Sequence, residues 1–292
     1  MNQAVIAIIP TLTNTQGLIE VTTWLQEQHY QMIIIDNQPT DTKQELAGAD
    51  GVTYLAQKQN LGFAAAINLG AKQVNTPWML ILNDDIVFPG QNTLTNLIKT
   101  AVDSQWSAIS PILHSPQGEI ENLGYQVLLQ GKIKLNHDPQ LTDLDGITAA
   151  CLLIKTDIFL ELGGLDKRFF AYLEDVDLFM RLKTAGHKFG IAPKVSVTHN
   201  HLTTSNKMGN FKQKMDLRNW VFLIMKNWSK QDFLQNLGPL LIERLRNLSG
   251  YLKTTLKIHG LKSLWIIPIE LITICTQLIS FPNSVGDIDA NR

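Results

Sequence analysis

Short runs of consecutive apolar residues alternate along the first third of the chain with segments in which apolar residues recur every three or four positions. The runs are residues 5–9, 32–35, 52–55 and 78–82, and the periodic segments are 16–29, an Ala-rich 60–70 and 92–105. A strand that is apolar throughout is typical of a sheet covered on both faces, whereas the longer period is typical of a helix packed on one side. The alternation therefore predicts an α/β fold with an open, mostly parallel sheet flanked by helices.

The pattern loosens between residues 108 and 146, where short apolar stretches are interrupted by Gly and Pro. We interpret this part as short strands and turns that extend the sheet or are inserted into it. Strand-like residues return at 147–154 and at 190–198, and a helical segment over 174–185 lies between them.

Two further helical patterns follow near the C-terminus. A helix is predicted over 239–258, with one face formed by Leu241, Leu245, Leu248, Leu252 and Leu256. Residues 264–281 are apolar except where Pro268, Glu270 and a few polar residues interrupt them. The length would suffice for a transmembrane helix. Glu270 and Pro268 within the segment instead favour a helix that lies at a membrane interface or packs on protein. The alternative is that both helices pack on the preceding α/β domain or on a second copy of the chain, which would make a homo-oligomer.

Composition places the 292-residue chain among globular proteins, with 45% hydrophobic and 17% charged residues. The formal net charge of −1 gives no reason to expect nucleic acid as a partner. Residues 206–262 nevertheless contain eleven Lys or Arg and only three acidic residues. A basic segment that also carries an apolar stripe favours an anionic lipid surface as its neighbour.

The two cysteines, Cys151 and Cys275, show neither a CxxC motif nor a zinc-ligand spacing. This favours a reducing cytosol over a disulfide framework. The chain starts with a strand-like run after Met-Asn-Gln-Ala, so we expect no signal peptide.

The stretch Asn83-Asp84-Asp85 ends the apolar run 78–82. Adjacent carboxylates at the end of a buried strand are costly to desolvate unless something positive meets them, and ligands of open α/β sheets bind at this edge. A divalent cation that carries a diphosphate would meet both needs. Asn-Asp-Asp is equally good turn chemistry, so the stretch by itself leaves metal site and solvated turn open.

Asp36 ends the second predicted strand, where an acid can accept hydrogen bonds from a ribose or a base edge. Its alternative role is to cap a turn or helix. The chain contains neither GxGxxG after the first strand nor GxxxxGK[ST]. An ordinary dinucleotide site or a P-loop is therefore not expected, and a diphosphate must be held in another way.

Glu174, Asp175 and Asp177 follow two glycines and an aromatic cluster. In the first turn of the helix predicted over 174–185, the free N–H groups would keep a carboxylate ionised and ready to act as a general base. Asp177 and Arg181 are spaced as an i,i+4 ion pair, worth only a few tenths of a kcal/mol. His199 ends the last predicted strand, and an imidazole there suits a metal site better than a structural role.

Taken in order, these residues resemble glycosyltransferases of family 2 with the GT-A fold, especially the bacterial rhamnosyltransferase-like branch. The resemblance covers about 5–205. Its motifs are Pro10-Thr11, Asp36-Asn37, Asn60-Leu61-Gly62-Phe63 with Asn68 and Gly70, Asn83-Asp84-Asp85 as a DxD variant, Gly163-Gly164-Leu165-Asp166 with Phe169-Phe170, Tyr172-Leu173-Glu174-Asp175-Val176-Asp177 with Arg181, and Pro193 followed by His199.

The resemblance implies a role for each matching position. Asp175 would be the general base, with Glu174 as the fallback, and Asp85, Asp84 and His199 would lie on the side of a bound Mg²⁺ or Mn²⁺. The nucleotide sugar would contact Pro10, Thr11, Asp36, Asn37, Asn60, Gly62, Phe63, Asn68, Asn83 and Asp84. The acceptor side would include Asp166, Phe170 and Tyr172. Two departures are Asn83, where many relatives have Asp, and the residues after His199, where His201 competes for the same role.

The implied fold is a Rossmann-like nucleotide-diphospho-sugar transferase domain over 1–205, with a nucleotide-sugar half at 1–107 and an acceptor half at 108–205. A basic amphipathic extension would follow at 206–292. The implied activity is inverting, metal-dependent transfer from a dTDP-, UDP- or GDP-linked sugar to a glycan or lipid-linked acceptor, in bacterial cell-surface polysaccharide synthesis, on the cytoplasmic face of the membrane. The alternatives are a nucleotidyltransferase and a non-catalytic scaffold subunit with the same fold.

Overall fold

The computed structural model describes residues 4–138, 141, 143–200 and 209–280. These described residues form two compact units: one lies within the bounds Met1–Gln126 and Lys134–Thr204, the other within Val127–Ile133 and Ser205–Arg292. The strands, in chain order, are β1 (Val5–Thr11), β2 (Gln31–Asp36), β3 (Val52–Ala56), β4 (Trp78–Leu82), β5 (Ile86–Val87), β6 (Ala108–His114), β7 (Ile120–Asn122), β8 (Tyr125–Leu128), β9 (Lys132–Leu135), β10 (Cys151–Lys155) and β11 (Phe189–His199).

The helices are α1 (Thr15–Glu27), α2 (Asp41–Gln44), α3 (Gly62–Ala71), α4 (Thr93–Asp103), α5 (Thr156–Glu161), α6 (Glu174–Thr184), α7 (Phe211–Asn227), α8 (Lys230–Gln235), α9 (Leu237–His259) and α10 (Ser263–Ser280). Short 3₁₀ helices occupy Glu45–Gly48, Lys167–Phe169 and Gly260–Lys262. The predicted helix over 174–185 is therefore present as α6, and the patterns at 239–258 and 264–281 are present as α9 and α10.

The first unit contains a sheet with the order β3-β2-β1-β4-β10-β6-β11-β5, and β7 pairs with β6. The pairs formed by β1 with β2 and β4, by β2 with β3 and by β6 with β11 are parallel. Strand β10 runs antiparallel between β4 and β6, and β5 and β7 are antiparallel to their neighbours. The prediction of a mixed, mostly parallel sheet is confirmed.

Apolar side chains cover both faces of this sheet, which explains the uninterrupted apolar runs in the sequence. Along β4, Leu80 and Leu82 pack on one side with α1 and α4, whereas Met79 and Ile81 pack on the other with α3. Alternation of neighbouring side chains between two buried faces requires every position of the strand to be apolar.

The strand predicted over 147–154 begins only at Cys151, because Ala149 and Ala150 form a turn. The carbonyl of Ala150 accepts a hydrogen bond from the N–H of Asn83 at 2.9 Å. This bond continues the antiparallel register of β4 and β10 by one pair, from Leu82 and Cys151 to Asn83 and Ala150.

The second unit contains a partly buried polar cluster around Glu270. Glu270 on α10 accepts hydrogen bonds from Tyr251 Oη at 2.6 Å, Lys214 Nζ at 2.9 Å and Asn210 Nδ2 at 3.3 Å. The acid that interrupts the apolar segment is therefore directed toward the other helices. Leu241 and Leu245, which belong to the stripe, are 55% and 64% exposed.

Candidate active site

The carboxyl ends of β1, β2 and β4 lie side by side because these strands are parallel neighbours. Thr11 and Asp36 are opposite each other in the register of β1 and β2. Asn83, Asp84 and Asp85 follow directly after Leu82, the last residue of β4. The topology thus brings the first three predicted motifs to one edge of the sheet, where open α/β sheets bind ligands.

Asp84 joins the loop after β1 to the loop after β4. Its Oδ2 accepts a hydrogen bond from Thr11 Oγ1 at 2.6 Å, and its carbonyl oxygen accepts one from Asn14 Nδ2 at 2.9 Å. Burial raises the pKa of Asp84 to about 6, although the Thr11 and Asn14 contacts lower it in part. Asn14, which the sequence reasoning missed, also caps α1 by accepting from the N–H of Gly17 at 3.1 Å. This cap is a familiar signal that could have identified it.

Asp85 points in another direction, toward His199. Asp85 Oδ1 lies 3.3 Å from His199 Nε2, and the Asp85 side chain is only 5% exposed. Among the described residues, none makes a hydrogen bond of good geometry to that oxygen. The approach follows from the register, since antiparallel pairing of β5 with β11 places His199 opposite Ile86, the neighbour of Asp85.

A second carboxylate holds the other ring nitrogen of His199. Glu121 Oε2 lies 3.2 Å from His199 Nδ1, and Oε1 lies 3.3 Å from the same atom. Burial on its own would lower the pKa of His199, but the contacts with Asp85 and Glu121 outweigh burial and raise that pKa to about 9. Glu121 falls in the stretch 108–146, where the sequence carries no motif that could have identified it. His201, the competing histidine, lies outside the described residues.

The donors around Asp85 suit a divalent cation that arrives with its substrate. Within the described ranges, no group of three or more His, Cys, Asp and Glu side chains is arranged to hold a metal ion. Mg²⁺ is commonly bound by one or two carboxylates together with substrate phosphates, and imidazole is a good ligand for Mn²⁺ and similar ions. A buried carboxylate oxygen without a hydrogen bond, beside an imidazole nitrogen, fits such an incomplete protein site.

Glu174 and Asp175 begin α6 as predicted, after an unusual backbone stretch. Phe170, Tyr172 and Leu173 all have positive φ, at 65°, 68° and 68°. Each such residue costs about 1–3 kcal/mol, and strained backbone of this kind clusters at functional sites. Only a surrounding structure that fixes this loop firmly can hold three of them so close together.

The environments of the two acids differ from the prediction. The N–H of Val176 binds Asp175 Oδ1 at 2.8 Å, yet burial outweighs this contact and raises the pKa of Asp175. The N–H groups of the helix N-terminus lower the pKa of Asp175, as the prediction requires, but burial has the larger effect. Glu174 is 6% exposed, its Oε2 has no hydrogen-bond partner among the described residues, and burial together with Asp175 raises its pKa to about 8.

Asp177 and Arg181 do more than the exposed ion pair that their spacing predicted. Asp177 is fully buried and accepts from Arg181 Nε at 2.9 Å. The guanidinium also donates to the carbonyl oxygens of Leu162 at 2.6 Å and Gly164 at 2.8 Å. The pair therefore anchors α6 to the glycine turn, and the few tenths of a kcal/mol of a surface pair is an underestimate.

Residues predicted for the donor and acceptor sides touch one another. Gly62 has a φ of +78°, and a Cβ there would lie 2.6 Å from the carbonyl oxygen of Phe170. Asn68 donates to the carbonyl of Leu165 at 2.6 Å and accepts from its N–H at 2.9 Å. A nucleotide sugar could bind the Asn68 amide only at the expense of these bonds, so its contribution in this structure is to join α3 to the loop before α6.

Asp36 is enclosed by partners that the sequence reasoning did not identify. Its Oδ1 accepts from Lys43 Nζ at 2.6 Å, and its Oδ2 accepts from Tyr54 Oη at 2.5 Å. The side chains of Lys43 and Asp36 are both 0% exposed. A direct contact with a nucleoside would require this carboxylate to leave Lys43 and Tyr54.

The remaining predicted residues shape the rim of the site. Asn37 accepts from the N–H of Leu61 at 3.0 Å, and Asn60 accepts from the N–H of Gly62 at 2.9 Å. Asp166 forms a two-armed ion pair with Arg168, at 2.8 Å to Nε and 2.6 Å to Nη2. Several others are partly buried at the same edge: Pro10, Phe63, Asn83, Phe170 and Tyr172.

Comparison with known proteins agrees with this geometry. The model of the family described as Glycosyl transferase family 2 matches residues 6–163. Over 209 residues the chain is 25% identical to N-acetylglucosaminyl-diphospho-decaprenol L-rhamnosyltransferase of Mycobacterium tuberculosis, covering 59% of this chain and 67% of that protein. It is 22% identical over 206 residues to the low-salt glycan biosynthesis hexosyltransferase Agl10 of Haloferax volcanii, covering 65% of each.

Two solved structures share the fold. The mannosyltransferase PcManGT of Pyrobaculum calidifontis, in complex with GDP-Man and Mn²⁺, superposes with a TM-score of 0.58 at 14% identity, over 96% of this chain and 86% of that one. TarS 1-349 of S. aureus gives a TM-score of 0.58 at 13% identity, over 98% and 82%. The predicted GT-A fold and enzyme class are confirmed, and the chain belongs to glycosyl transferase family 2.

Proposed function

We propose that this glycosyltransferase moves a sugar from a nucleoside-diphosphate donor to a hydroxyl group of a glycan or lipid-linked acceptor, with inversion at the anomeric carbon. The observation that carries the proposal is the buried Asp85 carboxylate, which lies 3.3 Å from His199 Nε2 at the carboxyl edge of the sheet. This arrangement supports a site for a cation-bound diphosphate.

Asp85 and His199 would hold the Mg²⁺ or Mn²⁺ ion, and diphosphate oxygens would complete its ligands. When bound, the ion would act as a Lewis acid toward the charge that develops on the departing diphosphate. Asp84 is a weaker candidate as a ligand than the resemblance implied, because its Oδ2 already accepts from Thr11. We assign Asp84 the role of fixing the loop after β1 around the donor.

Asp175 is the proposed general base. The acceptor oxygen forms a bond to the anomeric carbon while the bond from that carbon to the diphosphate oxygen breaks, and the hydroxyl proton passes to the Asp175 carboxylate. Glu174 is less suited to this role, because it is more deeply buried, and burial together with Asp175 raises its pKa to about 8, which favours its protonated form. A raised pKa on Asp175 favours proton uptake, since a base works best when its pKa approaches the working pH.

The relatives support the substrate class. The mycobacterial protein is named for a lipid-linked diphospho-sugar acceptor, and the Pyrobaculum structure contains GDP-Man and Mn²⁺. We carry over from these names only the expectation of a nucleotide-sugar donor and of an acceptor on a lipid carrier. The choice among a dTDP-, UDP- or GDP-linked donor remains a prediction of the family resemblance.

Calorimetric titration with UDP, dTDP and GDP, with and without Mn²⁺, tests the donor site. We expect one nucleotide to bind in a Mn²⁺-dependent manner and Asp85→Asn to abolish the dependence. Asp50→Asn is the matched control, because Asp50 is exposed and precedes β3 at the opposite edge of the sheet. Failure of every nucleotide to bind under both conditions would contradict the proposed function and favour a scaffold subunit.

We further propose that the second unit attaches the enzyme to the inner face of the cell membrane. Within the described residues, Leu237–Gln277 is long and apolar enough to cross a membrane, by length and composition only. Glu270 is bound by Lys214 and Tyr251, so the side of α10 that carries Leu264, Trp265 and Ile269 presents no charge to its surroundings. Exposed Lys253 and Lys257 on α9 complement anionic headgroups.

Flotation with vesicles of phosphatidylglycerol and phosphatidylcholine tests the attachment. We expect binding that increases with the anionic lipid and that is lost in a Trp265→Glu/Ile269→Glu variant. Val102→Glu, at an exposed apolar residue of α4, is the control and should float like the parent. Equal flotation of both variants, or none by the parent, would contradict a membrane role.

A further inference from the structure

Glu121 is held beside His199 by an irregularity in the sheet. In the antiparallel pair of β6 and β7, Leu113 is opposite Asn122, but the next residue, His114, is opposite Ile120. Glu121 is therefore the extra residue of a β-bulge between these two pairs. Bulges occur next to active sites, where they redirect a side chain.

The redirected carboxylate contacts one nitrogen of a ring whose other nitrogen faces Asp85. His199 Nδ1 lies 3.2 Å from Glu121 Oε2, and His199 Nε2 lies 3.3 Å from Asp85 Oδ1. The Glu121 side chain is 26% exposed, whereas that of Asp85 is 5% exposed. Glu121 thus stands on the outer side of the imidazole, and the buried Asp85 oxygen that lacks a well-formed hydrogen bond stands on the inner side.

We infer that Glu121 is a positioning residue, which acts through His199 on the cation and diphosphate site. A cation could bind Nε2 only after that nitrogen has lost its proton, and the Glu121 carboxylate would then hold the remaining ring proton on Nδ1, so that Nε2 is the ligand atom that faces Asp85. Histidine ligands of metals generally donate their other N–H in this way, and loss of such a partner costs about 10–100-fold in metal affinity or activity. This inference rests on the proposed function, because it needs a divalent ion beside Asp85.

Measurement of Mn²⁺ binding by electron paramagnetic resonance, with the full chain and the nucleotide selected by calorimetry, provides the test without any turnover assay. We expect Glu121→Gln to weaken Mn²⁺ binding about 10–100-fold. Glu119→Gln is the matched control, because Glu119 is an exposed acid two residues away, and it should bind Mn²⁺ like the parent. Unfolding curves confirm that each variant is folded.

A double-variant comparison separates positioning from direct coordination. If Glu121 acts through the ring, Glu121→Gln has no further effect once His199 is replaced in His199→Asn, because coupled residues are not additive. A full additional loss in that background would overturn the assignment and make Glu121 a ligand or a purely structural residue. Parental affinity in Glu121→Gln would overturn it as well.

The two proposals fail in distinguishable ways. If the parent binds no Mn²⁺ with any nucleotide, and Asp85→Asn changes nothing, the proposed function itself is contradicted. If the parent binds and Asp85→Asn does not, but Glu121→Gln matches the parent, only the role of Glu121 is refuted.

Discussion

Replacement of Lys43 by Met should destabilise the protein strongly, because it leaves the buried Asp36 carboxylate without its cation. Lys43 Nζ donates to Asp36 Oδ1 at 2.6 Å and to the carbonyl oxygens of Gln38 at 2.5 Å and Leu12 at 2.9 Å. Both charged side chains are 0% exposed. Removal of one member of such a buried pair costs about 3–5 kcal/mol.

At about 2–4 °C per kcal/mol, a loss of this size corresponds to a fall in Tm of about 6–20 °C. Chemical denaturation followed by circular dichroism measures the free energy, and Lys58→Met, at an exposed lysine, is the control. A Lys43→Met/Asp36→Asn variant removes both charges and leaves an acceptor for Tyr54, so it should recover part of the loss. A Lys43→Met variant within about 0.5 kcal/mol of the parent, the range of surface substitutions, would refute the reasoning.

Two other substitutions test the loops around the proposed base. Because burial raises the pKa of Glu174 to about 8 from an ordinary 4.5, the parent should lose stability at this site as pH rises from about 4.5 to about 8, while the unfolded chain ionises first. The free energy of unfolding of Glu174→Gln should lack this decrease with pH. If the parent and the variant show the same dependence on pH, the buried environment of Glu174 is contradicted. Gly62→Ala should lower both Tm and kcat, since its Cβ would lie 2.6 Å from the Phe170 carbonyl and its φ is +78°. Gly48→Ala, where a Cβ meets nothing within 4 Å, is the control, and equal effects of the two would argue against a constrained loop.

The strands and the edge at which they meet could be predicted because both follow from local patterns. Every position of β4 is buried, so its apolar run marks the strand completely. Parallel pairing of β1 with β2 and β4 then brings Thr11, Asp36 and Asn83 together without further information. The types of the elements and the ends of the strands can be predicted because burial and register follow the periodicity of apolar residues.

The partners of the site residues could not be predicted, because they come from distant positions without a motif. Glu121 reaches His199 through a bulge whose register is set by tertiary packing, and no local pattern indicates it. Lysine is a residue type that is almost always exposed, yet Lys43 is fully buried against Asp36. Buried lysines are rare unless they are paired, so the residue type by itself predicts an exposed side chain rather than a buried ion pair.

The burial that raises the pKa of Asp175 also could not be predicted from the sequence. The N-terminus of α6, which follows the loop 170–173, was predicted, and the N–H of Val176 binds the Asp175 carboxylate, but the effect of burial on the pKa is larger. That loop has three positive-φ residues other than glycine, and such a conformation is not encoded by residue type. The leucine stripe of α9 was predicted from periodicity, and the exposure of Leu241, Leu245 and Leu256 leaves its membrane-facing role a prediction.

The most direct test of the central claim is release of the nucleoside diphosphate from the donor that calorimetry selects, measured for the parent, Asp175→Asn and Asp50→Asn. Water can replace the missing acceptor, so slow hydrolysis reports on the same base. We expect Asp175→Asn to bind the nucleotide normally and to release the product about 10²–10⁴-fold more slowly, as for loss of a general base. We expect Asp50→Asn to match the parent. Release by Asp175→Asn at the parental rate would contradict the account.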